Sequence, residues 1–190
     1  MINNTKEYLE QAGALLKGHF LLTSGRHAGQ YMQCAKVMQY PAYTEHIAKV
    51  IAHGFKDCEI DIVIAPAVGG IVIGYELAKA LGVKSIFAER VMGKMTLRRG
   101  FEIPKGAKIV IAEDVITTGL SISDVKEIVT AYDGVLVGVG VIVDRTGGEI
   151  DVGTKLVSAY SQKILSYTED ECPFCKEGSV PVKPGSRGLS

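Results

Sequence analysis

Residues 109–121 read IVIAEDVITTGLS, and this stretch decides the fold class. Its first four residues, Ile109 to Ala112, are apolar or small and predict a buried strand. Two adjacent acids follow, and a hydroxyl- and glycine-bearing loop then leads into an amphipathic run that begins at Ile122. A strand that feeds a helix through such a loop brings free backbone N–H groups and the positive end of a helix dipole together. The segment therefore predicts a phosphate site.

The two acids distinguish this loop from an ordinary phosphate loop. Gly119 lets the backbone approach an anion closely, and the neighbouring hydroxyls add donors. Glu113 and Asp114 would repel a phosphate unless they face sugar hydroxyls or a hydrated Mg²⁺. A ligand with a ribose, a 5′-phosphate and a metal-bound diphosphate would satisfy every group. The alternative is a strand-to-helix turn with chance acids, because Asp and Thr are common near helix starts.

The composition fits one globular domain. The chain has 190 residues, of which 47% are hydrophobic and 22% charged, and this excludes a disordered protein. Lys plus Arg equal Asp plus Glu at 21 each, so no excess of positive charge indicates nucleic-acid binding. No apolar run approaches the ~20 residues of a membrane span, and the N-terminus lacks a signal-peptide apolar region. We expect a cytoplasmic protein without a membrane partner.

Strands alternate with helices along the chain, which predicts an α/β fold with a mostly parallel central sheet flanked by helices. Ligands of such sheets bind beyond the carboxyl ends of the strands. The loops 66–70, 113–121 and 144–148 all fall at that edge, so we expect one composite site. The predicted helices are 4–17, 41–55, 71–81 and the one after the loop, and the predicted strands are 61–65, 84–88, 109–112, 135–143 and 155–160.

The motif at 109–121 resembles the phosphoribosyl-diphosphate (PRPP) motif of the type I phosphoribosyltransferases. The resemblance implies a single domain over 1–190 and Mg²⁺ as cofactor, held through the PRPP diphosphate and water without a direct protein ligand. It also implies the PRPP-binding residues, which are Glu113, Asp114, Val115, Ile116, Thr117, Thr118, Gly119, Leu120 and Ser121.

Two further segments resemble the orotate phosphoribosyltransferases within this family. Phe20 to Gln33 is similar to their N-terminal S-G-R segment, which implies that Tyr31 and Met32 line the base pocket and that residues 1–40 form a hood with the C-terminal segment. Asp144-Arg145 matches their D-R pair, which implies that Arg145, with Thr117, binds orotate. The alternatives are a plain helix-to-sheet connection and a surface arginine that caps a strand.

Residues 90–99 resemble the mobile catalytic loop of the same family. Arg90 aligns with the first arginine of that loop and Lys94 with its catalytic lysine. The resemblance implies that both bind PRPP and that Lys94 acts in catalysis with Glu113 and Asp114. The family also implies a homodimer in which this loop reaches the partner's site. A solvated charged loop is the alternative, because scattered Lys and Arg usually mean solvent exposure.

The chain departs from the family pattern at three places. Thr23 stands where the family often has lysine, Val68-Gly69 stands where it often has Tyr-Lys, and Thr96 replaces a histidine of the loop. These changes remove cations from the diphosphate site, and Arg98 or Arg99 could compensate.

The resemblance implies an enzyme that transfers the phosphoribosyl group of PRPP to orotate, giving orotidine 5′-monophosphate and diphosphate in pyrimidine synthesis. One alternative is a phosphoribosyltransferase for purines or other bases, which Arg145 and the S-G-R segment disfavour. The other is a catalytically silent PRPP-sensing regulator bound to nucleic acid or protein, which the charge balance and the basic loop disfavour.

The four cysteines have no evident catalytic partner. Cys34 and Cys58 are isolated and predict small buried apolar groups. Cys172 and Cys175 form a lone C-P-F-C, whereas a structural zinc normally needs four ligands. We expect a tight reduced turn there, with a redox pair or a metal shared between subunits as alternatives, inside a peripheral tail over about 170–190.

Overall fold

The computed structural model describes residues 2–22 and 24–183. In chain order its helices and strands are α1 (Thr5–Gln11), β1 (Leu15–Leu21), β2 (His27–Met32), α2 (Ala35–Met38), α3 (Pro41–Gly54), β3 (Ile62–Pro66), α4 (Gly69–Leu81), β4 (Lys84–Val91), β5 (Lys94–Leu97), β6 (Lys108–Ile116), α5 (Leu120–Ala131), β7 (Val135–Asp144), β8 (Lys155–Ser161), β9 (Ser166–Tyr167) and α6 (Pro173–Lys176).

The central sheet has six strands in the order β5-β4-β3-β6-β7-β8. Strands β4, β3, β6, β7 and β8 run parallel, and β5 returns antiparallel along β4 as the second arm of a hairpin. Helices α3 and α4 pack together on one side of the sheet, and α5 packs on the other side. The predicted α/β fold with a mostly parallel sheet is confirmed.

Both faces of the sheet are apolar, as expected for parallel strands covered by helices on each side. On β6, Val110 and Ala112 join the core beneath α3 and α4, whereas Ile109 and Ile111 join the core beneath α5. This alternation follows from the two-residue period of a strand. The acids that follow Ala112 are therefore carried by the most enclosed part of the sheet.

Two glycines of β7 let α3 approach the sheet closely. A Cβ built on Gly138 would lie 2.6 Å from Phe55, and one built on Gly140 would lie 2.6 Å from Ile51. Real Cβ contacts do not become this short, so any side chain at these positions would push the helix away from the strand.

A second, three-stranded antiparallel sheet has the order β1-β2-β9, and we call it the hood. Its strands come from residues 15–32 and from residues 166–167, so it joins the two ends of the described chain. Residue Val182 adds to it through a bridge with Phe20, accepting a hydrogen bond from the Leu21 N–H and donating one to His19. The chain from 170 to 183 is thus attached to the hood and does not form a free tail, while residues 184–190 lie outside the described part.

The two largest differences from the predicted element boundaries lie in the first helix and in β6. The first helix ends at Gln11, and Leu15 and Leu16 lie in β1, because their spacing suits a strand as well as a helix. Strand β6 continues through the acids to Ile116, so Glu113 and Asp114 belong to the sheet and not to the loop. The helices predicted near 41–55 and 71–81 are present. Among the described residues, no helix has the length and apolar character to cross a membrane.

Candidate active site at the carboxyl edge of the sheet

The first and second predicted loops meet at the acidic pair. Gly69 opens α4 directly after the loop that follows β3, and a Cβ built on it would lie 3.0 Å from the Asp114 Oδ2 atom. A side chain at position 69 would therefore displace the carboxylate. The family often has Tyr-Lys at positions 68–69, and the glycine found here at 69 suits this close approach to Asp114. The positive charge of that lysine is absent from this position.

The acidic pair is buried and held by its own backbone. Glu113 is 8% exposed, and its Oε1 accepts a hydrogen bond of 3.1 Å from the Asp114 N–H. The Oδ1 atom of Asp114 accepts one of 2.8 Å from the Val115 N–H. No lysine or arginine of the described chain forms a salt bridge with either carboxylate. The pair therefore carries negative charge that the protein itself leaves unbalanced.

Burial is the main reason that the pKa values of both acids are raised. For Glu113, burial and then the charge of Asp114 raise the pKa to about 9. For Asp114, burial raises the pKa, while hydrogen bonds from Glu113 and from the backbone act in the opposite direction. The ligand-free pair therefore holds a proton near neutral pH, and donors such as sugar hydroxyls or metal-bound water would favour its release.

The phosphate loop forms a cradle of about 310 Å³ between the acids and α5, lined by residues 113, 115–122. Gly119 stands at the start of α5 with φ 74°, a conformation that favours glycine. The first N–H groups of a helix have no partner within the helix, so they face this cradle. Ile116 has its side chain in the core, which leaves only its backbone for a ligand.

A second cavity of about 570 Å³ adjoins the cradle, because Thr117 and Thr118 line both. We call it the base pocket. The structure brings Tyr31, Thr117 and Arg145 together in it, as the sequence predicted for these three residues. The remaining lining residues are Leu22, Ser24, Arg26, Thr118, Thr146, Ile164 and Ser166.

Arg145 is a cation without an acidic partner. No salt bridge to it is present in the described chain, and its Nε atom is buried without a hydrogen-bond partner there. Burial lowers its pKa, while Tyr31 and Cys34 act in the opposite direction. A half-buried guanidinium without an acidic partner favours an anionic or carbonyl-bearing ligand that accepts from it in the plane of the fork.

The neighbouring Asp144 has the opposite character, because its carboxylate is saturated. It accepts hydrogen bonds from the backbone and side chain of Thr146, at 2.7 Å and 2.6 Å, from the Gly148 N–H and from the Ser161 hydroxyl. Burial raises its pKa, but these bonds outweigh burial, and the pKa is lowered. Asp144 therefore shapes the 144–148 loop and does not bind ligand.

The sequence prediction missed Arg26 as a pocket residue. Its Nε donates to the Ser166 hydroxyl at 2.9 Å and its Nη2 to the Ser166 carbonyl at 2.6 Å, which fixes the guanidinium against β9. The S-G-R motif contains this arginine, but only the pairing of β2 with β9 shows that it faces the same cavity as Arg145.

The prediction for Met32 was wrong. Tyr31 lines the base pocket, but Met32 is 4% exposed and packs in the core beneath α3 and α4. Successive residues of a strand point to opposite faces, so Tyr31 and Met32, both in β2, cannot both face the pocket.

The segment 90–99 is a β-hairpin and not an open loop. Arg90 forms a salt bridge with Asp124 of α5 and donates to the Gly93 carbonyl, so the hairpin rests on the helix that follows the phosphate loop. Lys94 is exposed and has no salt bridge within the described residues. The structure thus places Arg90 beside the cradle helix and leaves Lys94 in solvent.

Arg99, one of the two arginines that could compensate for the missing cations, is already paired with an acid. Arg99 makes two bonds of 2.8 Å to Glu89 and lies over the Phe87 ring, so it stabilises the hairpin. Thr96 bonds only to the Lys94 carbonyl. Thr23 lies outside the described residues.

Cys34 borders the site from the core side. It is buried, as predicted, and its thiol donates to the Asp114 carbonyl at 3.7 Å. Burial, with the charges of Asp114 and Glu113 adding to it, raises its pKa well above the ordinary value. The thiol is therefore neutral and does not act as a nucleophile. Cys58 is only partly buried.

Comparison with known proteins agrees with this geometry. Residues 36–163 match the family described as phosphoribosyl transferase domain. The chain is 50% identical over 183 residues to an orotate phosphoribosyltransferase of Caldanaerobacter subterraneus, covering 96% of both chains. It is 49% identical over 180 residues to one of Pelotomaculum thermopropionicum, covering 95% of both. The chain belongs to the orotate phosphoribosyltransferase family.

A solved structure supports this membership. The crystal structure of the orotate phosphoribosyltransferase from Aeropyrum pernix superposes with a TM-score of 0.71 at 27% identity, covering 84% of this chain and 94% of that one. The sequence matches to the two curated relatives extend beyond residues 36–163, because they cover 96% and 95% of the chain.

The opposite orientations of Tyr31 and Met32 can be tested by stability measurements. Met32→Ala removes a buried side chain and should lower the free energy of unfolding by about 2–5 kcal/mol. Tyr31→Ala, in the half-open pocket, should lower it by about 1 kcal/mol. Urea unfolding of the two variants measures both values, and the reverse order would place Met32 in the pocket.

The raised pKa of Glu113 predicts a pH dependence of stability. Unfolded Glu113 ionises near 4.5, whereas the folded carboxyl stays protonated until about 9, so ligand-free stability falls as pH rises through this window. Glu113→Gln cannot ionise. Its stability relative to wild type should rise by on the order of 2 kcal/mol between about pH 5 and about pH 8. Denaturant titration at both pH values measures this, with exposed Glu127→Gln as the control; a pH-independent difference would contradict it.

Proposed function

We propose that the chain transfers the phosphoribosyl group of PRPP to orotate, giving orotidine 5′-monophosphate and diphosphate, in pyrimidine synthesis. The observation that carries the proposal is the union of two cavities at Thr117 and Thr118. The buried Glu113 lines one cavity, and Arg145, which has no salt bridge in the described chain, lines the other. A nucleotide, with its 5′-phosphate, ribose and base in that order, fits such a site.

The acidic pair would hold the ribose. Sugar hydroxyls donate to carboxylates, and Glu113 and Asp114 have oxygens left free by the protein at the end of β6. The 5′-phosphate would lie on the Thr117–Ser121 loop, which offers hydroxyls and helix N–H groups. Ionised carboxylates here would also stabilise positive charge that develops at the anomeric carbon as the bond to diphosphate breaks.

The base pocket suits an acidic pyrimidine. Orotate carries a carboxylate and an imide, and Arg145 presents a guanidinium whose Nε atom has no hydrogen-bond partner among the described residues. Arg26 adds a second cation, and the ring of Tyr31 can pack on a flat base. Two cations disfavour a neutral purine, which would leave them desolvated and unpaired. In the reaction, a ring nitrogen of orotate forms the new bond to the anomeric carbon as the bond from that carbon to diphosphate breaks, and the proton that the nitrogen carried is released.

The donor set fits a hydrated Mg²⁺ bound with PRPP. Two buried carboxylates without a cation partner are hard oxygen ligands, and they would accept hydrogen bonds from its water molecules. The ion would supply charge neutralisation at the diphosphate. Glu113 and Asp114 orient the sugar, and Gly69 keeps the space beside Asp114 open.

The hairpin would cover the diphosphate. Lys94 is exposed at its turn, and Arg90 is held against α5 by Asp124. We propose that closure of the hairpin brings Lys94 to the diphosphate, excludes water and stabilises the leaving charge. A homodimer in which the hairpin of one subunit covers the site of the other, and a cytoplasmic location, remain predictions.

Arg145→Ala tests the base assignment. Loss of a charged hydrogen-bonding partner should weaken orotate binding by about 1.5–3 kcal/mol and leave PRPP binding nearly unchanged. Calorimetry with each ligand separates the effects, with exposed Lys49→Ala as control and with adenine, hypoxanthine and uracil as competing bases in the assay. Equal weakening of PRPP binding would place Arg145 on the phosphate side, and turnover of a purine instead of orotate would overturn the proposed substrate.

Subunit mixing tests the action of Lys94 across a dimer. Lys94→Ala and Asp114→Asn should each lose activity by about 2–4 kcal/mol in activation free energy. After exchange, a hybrid dimer has one site with the intact hairpin of one chain over the intact acids of the other. Random pairing makes half the dimers hybrid, so activity should recover to roughly a quarter of wild type. If mass analysis confirms exchange but activity stays at the parental values, Lys94 acts within its own chain or does not act in catalysis.

A further inference from the structure

Four side chains that the reaction does not use form a compact cluster at the edge of the hood. His19 comes from β1, His27 from β2, and Cys172 and Cys175 from the start and the body of α6. One ligand-type atom of each lies within 4.8 Å of all the others. The sequence shows a lone C-x-x-C pair, which is half of a four-ligand metal site. The fold brings two histidines from adjacent strands to the same place, and they provide the other two ligands.

The separations of these atoms, from 2.9 Å to 3.8 Å, are close to those around a tetrahedral ion, with the two nitrogens nearer to each other than in a loaded site. The His19 Nε2 atom lies 2.9 Å from the His27 Nδ1 atom, 3.4 Å from the Cys172 sulfur and 3.8 Å from the Cys175 sulfur. The Cys175 sulfur lies 3.2 Å from His27 Nδ1. With Zn–N near 2.0–2.1 Å and Zn–S near 2.3 Å, tetrahedral coordination separates ligand atoms by about 3.3–3.8 Å.

The orientation of His19 is also that of a metal ligand. Its Nε2 faces the cluster while its Nδ1 lies 3.1 Å from the Ser179 carbonyl, which fixes Nδ1 as the protonated nitrogen and leaves Nε2 with a free lone pair. Metal-bound histidines usually donate their second nitrogen to a carbonyl or carboxylate in this way. Three of the four residues are buried, and both cysteines are free thiols.

The surrounding chain has little else to hold it. Among residues 168–183, all of which are described, Cys172 is the one buried residue. Phe174, between the cysteines, packs against His19 with 5.4 Å between ring centroids. It lies so close to the hood that a Cβ on Gly29 would be 2.6 Å from its ring. A short segment without a core commonly needs a metal or a disulfide for a fixed position.

We propose that His19, His27, Cys172 and Cys175 bind a structural zinc ion that fastens the C-terminal segment to the hood. Two thiolates and two imidazoles in tetrahedral positions are the ligand set that selects zinc. Four protein ligands close the coordination sphere, so the ion has no position for substrate. A disulfide between the cysteines would leave the convergence of two buried histidines unexplained, and the zinc site is independent of the proposed reaction.

Metal analysis of the untagged full-length protein tests this directly. Protein produced with zinc in the medium and dialysed without chelator should contain about one zinc per chain by mass spectrometry. Replacement by Co²⁺ should give the intense visible bands of a tetrahedral site and a thiolate-to-metal charge-transfer band. Protein with reduced cysteines and no zinc, an octahedral cobalt spectrum, or a Cys172–Cys175 disulfide in place of metal would each overturn the proposal.

Matched cysteine variants separate the site from adventitious binding. Cys175→Ser should lose zinc affinity by more than the ~10–100-fold typical of changes around a metal's ligands, whereas Cys58→Ser should retain one zinc per chain. If Cys175→Ser does not fold, hydrogen exchange of the wild type with and without a chelator tests whether an ion stabilises the hood. Protection should fall over 15–32 and 166–183 and stay unchanged over β3, β6 and β7; uniform loss, or no loss, would contradict a structural ion in the hood.

Discussion

The site depends on one electrostatic constraint, which is the burial of two adjacent carboxylates at the end of the central strand. Strand β6 lies between β3 and β7 and extends beyond its pairing with β3, so Glu113 is paired with Val141 of β7 while Gly69, at the start of α4, lies against Asp114. Burial makes their charge costly, and within residues 2–22 and 24–183 the two carboxylates accept hydrogen bonds from backbone N–H groups but form no salt bridge. Such a pair is stable as a charged site only with a ligand that brings hydroxyls or a metal. The absence of a side chain at Gly69 is part of the same constraint.

The two charged residues at the end of β7 differ in their hydrogen bonding. Asp144 is satisfied by four hydrogen bonds from its own loop, and these fix the turn from which Arg145 projects. Arg145 keeps a buried donor free. The sequence shows both residues as one D-R pair, but the chemistry divides them: the acid organises the backbone, and the arginine is available to a ligand. A site with free carboxylates at one end and a free guanidinium at the other has a direction, which matches a sugar at one end and an acidic base at the other.

The sequence predicts the parts of this protein whose signals are local. The apolar strand before the acids, the Pro41 helix and the alternation of strands and helices were sufficient for the fold class. Predictions were wrong where one pattern suits two structures. Leu15 and Leu16 fit either a helix or a strand. Tyr31 and Met32 could both face the pocket in a loop, but they cannot both do so in strand β2. Arg26 and the histidines near Cys172 could not be placed, because their partners lie 140 and 153 residues away in the chain.

The hood connects the base pocket to the cysteine cluster, and this connection explains why both occur on the same small sheet. Arg26 and His27 are adjacent, so a shift of β2 would move a pocket cation and a cluster histidine together. Strand β9, which anchors Arg26 through Ser166, has only two residues and contributes little stability by itself. The cluster ties the segment that follows β9 back to β1 and β2. Attachment of the C-terminal segment at this cluster holds the pocket wall in position. None of the four cluster side chains lies inside the pocket, so the wall can be rigid while Arg145 remains free for the base.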